Sequence, residues 1–137
     1  MEDNCIFCKI ANKTLPSEIV YEDKMFIAFL DIAPNNLGHT LVVPKKHFKT
    51  FLDVHGKEMD MFMEICQKVA KAQMRALNAA GFNLMLNNAR AAGQLVDHVH
   101  FHIIPRFVGD GLIHWPKKMY KSPEEAKQVA LKIKSFL

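Results

Sequence analysis

His98-Val99-His100-Phe101-His102-Ile103-Ile104-Pro105 is the stretch on which the reading of this chain turns. Side chains alternate along a strand, so in extended backbone His98, His100 and His102 share one face while Val99, Phe101 and Ile103 share the other. One face serves a core and the other presents three imidazoles. The whole chain holds only 7 histidines, so three at strict alternation are not a solvated accident. Aligned imidazoles either bind a transition metal or attack and polarise an electrophile such as phosphorus.

Just upstream, Asn87-Asn88-Ala89-Arg90-Ala91-Ala92-Gly93 is a loop of small residues. Gly93 permits close backbone approach, and Asn87 and Arg90 donate hydrogen bonds, which together suit an anion. The loop lacks the Lys and Ser/Thr of a P-loop and opens no long helix, which disfavours ATPase chemistry. Further out, β-branched and aromatic runs at 19–22 and 25–30 flank Asp23 and Lys24 and predict a hairpin. After the turn formers Pro34, Asn35, Asn36 and Gly38, residues 40–43 predict a third strand closed by Pro44.

The period then changes. Phe62, Ile65, Cys66, Val69, Ala72, Ala76 and Leu77 recur at spacings of three and four, predicting a long helix over 57–80 that ends at Gly81. Met59, Met61, Met63 and Met74 thicken its stripe as gap-filling core. Residues 82–86, 94–96 and 98–107 read as extended. Ser122-Pro123-Glu124-Glu125 supplies an N-cap hydroxyl, a first-turn proline and a capping-box glutamate for a last helix to 136, with Ala126, Val129, Ala130 and Ile133 on one face. Strands grouped early and late around a central helix predict an α+β domain on an antiparallel sheet. The loop 109–120, with Trp115 between His114 and Pro116, is the least regular stretch.

At 137 residues the chain is expected to form a single domain, 1–137, with a helical extension from about 121. Half its residues are hydrophobic and 23% charged, a globular composition. No apolar run approaches the ~18 residues of a membrane span and the start is acidic and polar, so the expectation is a soluble, cytoplasmic protein with no membrane partner. A net charge of +4 is modest for a nucleic-acid binder and fits a small phosphorylated ligand; no nucleic-acid partner is expected. Lys45, Lys46 and Lys49 form a small basic patch best explained by solvation. Of the 3 cysteines, Cys66 falls in the helical stripe and reads as core. Cys5 and Cys8 read as metal or redox chemistry; outside a βαβ context zinc is the better reading.

These residues resemble the histidine triad (HIT) family of nucleotide hydrolases and transferases. The likeness runs through Cys5-Ile6-Phe7-Cys8-Lys9-Ile10, Phe29-Leu30-Asp31-Ile32, Gly38-His39-Thr40-Leu41-Val42-Val43-Pro44-Lys45-Lys46-His47, Asn87, Gly93-Gln94 and the triad itself. It implies a five-stranded antiparallel sheet with a long central and a C-terminal helix, dimerising into ten strands. It also implies that His100 attacks the α-phosphorus of a nucleoside monophosphate derivative to give a covalent nucleotidyl-histidine, which water releases. His102 and His39 would line the phosphate and leaving-group site, assisted by Asn87, Gly93 and Gln94. Asp31 would accept from the ribose hydroxyls, and Ile6, Phe7, Ile10, Phe29 and Ile32 would wall the base pocket. By the same resemblance Cys5, Cys8, His47 and His98 would hold a closed, structural zinc.

The activity so implied is a purine nucleoside phosphoramidase, with dinucleoside polyphosphate hydrolysis, regulatory nucleotide binding without turnover, or metalloenzyme chemistry as rivals. Asn87 favours the phosphoramidase branch over the polyphosphate branch, which tends to carry glutamine there. Two positions depart from the family pattern. Leu95 stands where a serine or threonine is usual, and Ala89 stands where glycine is common and is expected to resist a positive φ.

Overall fold

The computed structural model describes residues 4–137; the acidic start, residues 1–3, lies outside the described residues. The run Phe26-Ile27-Ala28-Phe29 is apolar without alternation, and it forms the strand buried on both faces. That strand, β2 (Phe26–Leu30), lies between β1 (Ile19–Glu22) and β3 (Thr40–Pro44). Asp23 closes the β1–β2 turn by accepting from the Met25 and Phe26 amides, both at 2.7 Å. β5 (Phe101–Arg106) pairs with β3 on one side and with β4 (Gly81–Leu86) on the other. All pairs are antiparallel, in the order β1-β2-β3-β5-β4.

Alternation divides two cores between the faces of this sheet. Phe26, Ala28, Val42, Val99, Phe101 and Ile103 meet Phe62, Ile65, Cys66, Val69 and Ala70 of the helix α2 (Lys57–Ala76). On the other face, Ile27, Phe29, Leu41 and Val43 meet Cys5, Phe7, Cys8 and Ile10. The last three belong to a short helix, α1 (Ile6–Ala11), whose N-cap Cys5 Sγ accepts from the Cys8 amide at 3.2 Å. No helix signal marks α1 in the sequence, because six residues and a cysteine cap fall outside the usual N-cap set.

Several sequence expectations are corrected here. Helix α2 stops at Ala76 rather than 80, because Asn78 takes φ +51° and ends the helix in the left-handed conformation that asparagine tolerates. Gly81 opens β4 instead. Residues 94–96 form no strand. There the buried Gln94 side chain accepts from the Ala89 amide and donates to the Lys49 and Val96 carbonyls, holding the backbone in a turn. The β5 ladder begins at Phe101, preceded by a single bond from the Val99 amide to Phe48 O at 2.7 Å. The last helix, α3 (Pro123–Lys134), is capped by Ser122 Oγ accepting from the Glu125 amide at 3.1 Å, but none of its residues is buried. Its apolar face, Val129 and Ile133 included, covers no core among the described residues. No helix among the described residues is long and apolar enough to cross a membrane.

One buried polar side chain ties the layers together. Gln73 of α2 reaches through to the sheet, its Nε2 at 2.6 Å from Gly38 O, 3.0 Å from Thr40 Oγ1 and 3.1 Å from Ile103 O. Gly38 itself sits at φ +93°, and a Cβ there would collide with Leu77 Cδ1. Gly38→Ala is expected to destabilise the fold by about 1–2 kcal/mol, the cost of a left-handed non-glycine residue, read as a lower urea midpoint at unchanged m-value.

Candidate active site and metal centre

His98, His100 and His102 all point away from α2, and hydrogen bonds to backbone carbonyls settle which nitrogen of His98 and of His100 carries the proton. His98 Nε2 lies 2.8 Å from Pro44 O, an acceptor only, so Nε2 bears the hydrogen and Nδ1 is a bare lone pair. That lone pair faces Cys5 Sγ at 3.3 Å and Cys8 Sγ at 3.5 Å, and His47 Nδ1 lies 3.4 Å from Cys8 Sγ. All four ligand atoms fall within 4.8 Å of one another. A tetrahedral ion bound at ~2.3 Å by sulfur and ~2.05 Å by nitrogen needs sulfur-to-nitrogen edges of about 3.5 Å. The three sulfur-to-nitrogen distances of 3.3–3.5 Å match that edge, so the four residues could hold a four-coordinate metal. The Cys8 amide on Cys5 Sγ and the Pro44 carbonyl on His98 supply the outer hydrogen bonds such ligands need.

His100 is fixed by the same logic. Its Nδ1 lies 2.7 Å from His98 O and must donate, which leaves Nε2 as a lone pair. The ring is buried against the Phe7 ring, 4.9 Å between centroids and nearly perpendicular. Burial holds its pKa below the ordinary histidine value, so at neutral pH the lone pair is available.

His39 and His102 form a relay. The Asn35 amide donates to His39 Nδ1 at 3.1 Å, so His39 carries its proton on Nε2 and donates it to His102 Nδ1 at 2.9 Å. His102 then carries its own proton on Nε2. Asp31 Oδ1 accepts from the Ala33 amide at 2.9 Å, and Oδ2 lies 3.7 Å from His39 Nε2. The ligand atoms of Asp31, His39 and His102 are also within 4.8 Å of one another. A metal there would need the lone pair of His39 Nε2, moving the proton to Nδ1 against the Asn35 amide. The trio is therefore wired for hydrogen bonding rather than ligation. Burial pushes His102 down to about 4 and His39 below its ordinary value.

A cavity of about 490 Å³ opens over these groups, lined by Ile6, Phe7, Ile10, Phe29, Asp31, Ile32, Gly93, His100 and His102. Leu15, Pro16, Ser17, Leu30, Leu41, Leu95 and Val96 complete it. Residues 12–109 match the HIT domain family. The chain belongs to the HIT family. It is 40% identical over 134 residues to an adenosine 5′-monophosphoramidase of Schizosaccharomyces pombe, covering 96% of this chain and 97% of that protein. A HIT-family protein of Bacillus subtilis superposes with a TM-score of 0.89 at 36% identity, covering 98% of both chains. A zinc-bound histidine triad family protein of Mycobacterium smegmatis superposes with a TM-score of 0.77 at 32% identity, again covering 98% of both.

Most of the HIT residues named from sequence converge on this site, but three take other positions. His39 is 2% exposed and lies behind His102, so it supports the site without lining it. Gln94 is 1% exposed and spends its amide on loop backbone. Asn87 stands beside Gly93 without lining the cavity, with Nδ2 3.6 Å from where a Gly93 Cβ would lie. Ala89 does adopt the positive φ it was expected to resist, at φ +68°, ψ 162°, a region of backbone space normally left to glycine. Leu95 is 76% exposed at the cavity mouth. The basic patch is neutralised where it stands, Lys45 by Glu22 at 2.8 Å, Lys46 by Glu58 at 3.8 Å and Lys49 by Asp97 at 3.6 Å. Leu15, Pro16 and Ser17 also line the cavity, and a Leu-Pro-Ser linker carries no periodicity to mark it in the sequence.

His102 is neutral when folded, whereas the unfolded chain binds its proton from about pH 6.5 downward; the folded chain does so only near 4. Stability is therefore expected to fall as pH drops from about 6.5 to 4 and to be insensitive to this group above that range. His102→Gln is expected to reduce the dependence of the urea midpoint on pH across that window, the rest coming from the other buried histidines.

Proposed function

We propose that this protein is a purine nucleoside phosphoramidase, hydrolysing nucleoside monophosphate derivatives through a covalent nucleotidyl-histidine. The observation that carries the reading is the pairing, at one cavity wall, of a bare nucleophilic lone pair on His100 Nε2 with a donor on His102 Nε2. His100 Nε2 attacks the α-phosphorus; a P–Nε2 bond forms as the P–N bond to the leaving amine breaks. His102 Nε2–H passes its proton to the departing nitrogen, which leaves as the neutral amine, and recovers a proton from the water that attacks in the second step, with His39 holding it in place. Water then attacks the same phosphorus, the P–Nε2 bond breaks, and the nucleoside monophosphate leaves. Asp31 accepts from the ribose hydroxyls through Oδ2, while Ile6, Phe7, Ile10, Phe29 and Ile32 enclose the base. Gly93 and Asn87 shape the phosphate side. The name of the fission-yeast relative supports this substrate class.

Cys5, Cys8, His47 and His98 would hold zinc, which would supply no step of the reaction and would pin α1 to the catalytic segment. A reducing, cytoplasmic setting keeps both cysteines reduced and available to a metal. A second copy of the chain pairs along β4, where Phe82 and Leu84 are exposed on the edge strand of the sheet.

Purified wild-type protein is expected to hydrolyse adenosine 5′-phosphoramidate in the presence of EDTA, and His100→Ala to lose at least about 10³-fold in kcat, the order for deleting a nucleophile. Nucleotide binding without turnover would favour the regulatory reading, with Leu95 the residue at fault. Native mass spectrometry is expected to give twice the 15.6 kDa chain with one zinc per chain, and Cys8→Ser to lose the zinc.

A further inference from the structure

The loop joining β2 to β3 decides what His39 can donate. A single bond, from the Asn35 amide to His39 Nδ1, places the ring proton on Nε2 and so directs His39 at His102. The position of that amide depends on its neighbour. Asn36 Nδ2 donates to Pro105 O at 2.9 Å and to Asp110 Oδ2 at 3.0 Å, and Asn36 O accepts from the His39 amide at 3.0 Å. Asp110 in turn is locked by its own partners. Arg106 donates to it from Nε at 2.8 Å and from Nη2 at 3.0 Å, and the Phe107 and Leu112 amides each donate at 3.0 Å. Neither Asn36, Arg106 nor Asp110 lines the catalytic cavity.

We propose that Asp110, acting through Asn36, is a positioning residue for His39. The carboxylate fixes the loop on the end of β5 so that the Asn35 amide stays on His39 Nδ1 and the His39 Nε2 proton stays on His102. An oxygen of Asp110 that already accepts from Arg106 and an amide offers Asn36 a rigid anchor, where a solvent-facing partner would let the loop drift. If the loop drifts, the amide leaves His39, the Nδ1–H tautomer becomes accessible, and two facing nitrogens of His39 and His102 both lack a proton. His102 can then turn its donor away from the phosphate.

The consequence for turnover rests on the phosphoramidase reading, but the tautomer does not, so the test reads the tautomer directly. Long-range ¹H–¹⁵N spectra of protein labelled in the histidine rings are expected to show His39 in wild type as a single Nε2–H tautomer. Asn36→Ala and Asp110→Asn are each expected to introduce the Nδ1–H form at His39 while the His100 pattern, set by the His98 carbonyl, is unchanged. Their kcat is expected to fall about tenfold with KM within about twofold, as for a weakened general acid. A wild-type spectrum with the proton on His39 Nδ1 would overturn the proposal without any variant. So would a folded Asn36→Ala or Asp110→Asn protein that keeps His39 wholly as Nε2–H. A wild type inactive on the phosphoramidate would sink the reaction assigned above and leave the tautomer result to judge the positioning role alone.

Discussion

The two-residue repeat of the segment 98–104 is the constraint from which the rest of the molecule follows. Val99, Phe101 and Ile103 are held by the α2 core on one side, and a slip of one residue would bury three imidazoles against Phe62 and Val69. Packing on the apolar side thereby fixes the chemistry on the polar side. The other elements complete this division: β3 supplies Leu41 opposite His102 in the ladder, and α1 closes the imidazole face with Phe7 against His100. Gln73 reaches across from α2 to the backbone beside both His39 and His102, so the helix also sets the spacing of the two strands that carry them.

Three consecutive histidines of the alternating run do different work because each meets a different partner. Pro44 O takes the His98 proton and leaves Nδ1 to the cysteines. The carbonyl of His98 takes the His100 proton and leaves Nε2 to the cavity. His39, protonated opposite its Asn35 contact, takes up the His102 lone pair and leaves His102 a donor. Backbone groups have fixed polarity, so a tautomer set by them cannot be reversed by a passing ligand. Burial acts in the same direction by disfavouring the imidazolium, and a nucleophile and its donor coexist a ring apart at neutral pH.

Much of this was legible in the sequence where one period or one motif carried the information. The sheet faces, α2, the α3 cap and the four-ligand cluster all follow from alternation, helical spacing, a capping box and a family pattern read in order. What escaped depended on side chains bonding to distant backbone. The turn at 94–96 comes from Gln94 reaching Lys49, the early end of α2 from Asn78, and the loop anchor from Asn36 reaching Asp110, 74 residues away. Neither propensity nor spacing encodes such contacts. His39 illustrates the same point, since its motif marked it for the site while only its burial shows that it stands behind His102. Ala89 shows the reverse case: alanine's preference predicts a negative φ, and the loop, held by the bond from the Ala89 amide to Gln94, takes φ +68° instead.

The central claim is that His100 Nε2 forms a bond to phosphorus, and a rapid acid-free quench of wild-type protein turning over adenosine 5′-phosphoramidate, followed by tandem mass spectrometry of the triad peptide, reads that bond directly. The account predicts a single adenylyl group on His100 that appears within the first turnover and decays as the nucleotide is released. Turnover with no adduct, or with the adduct on His102, would contradict it.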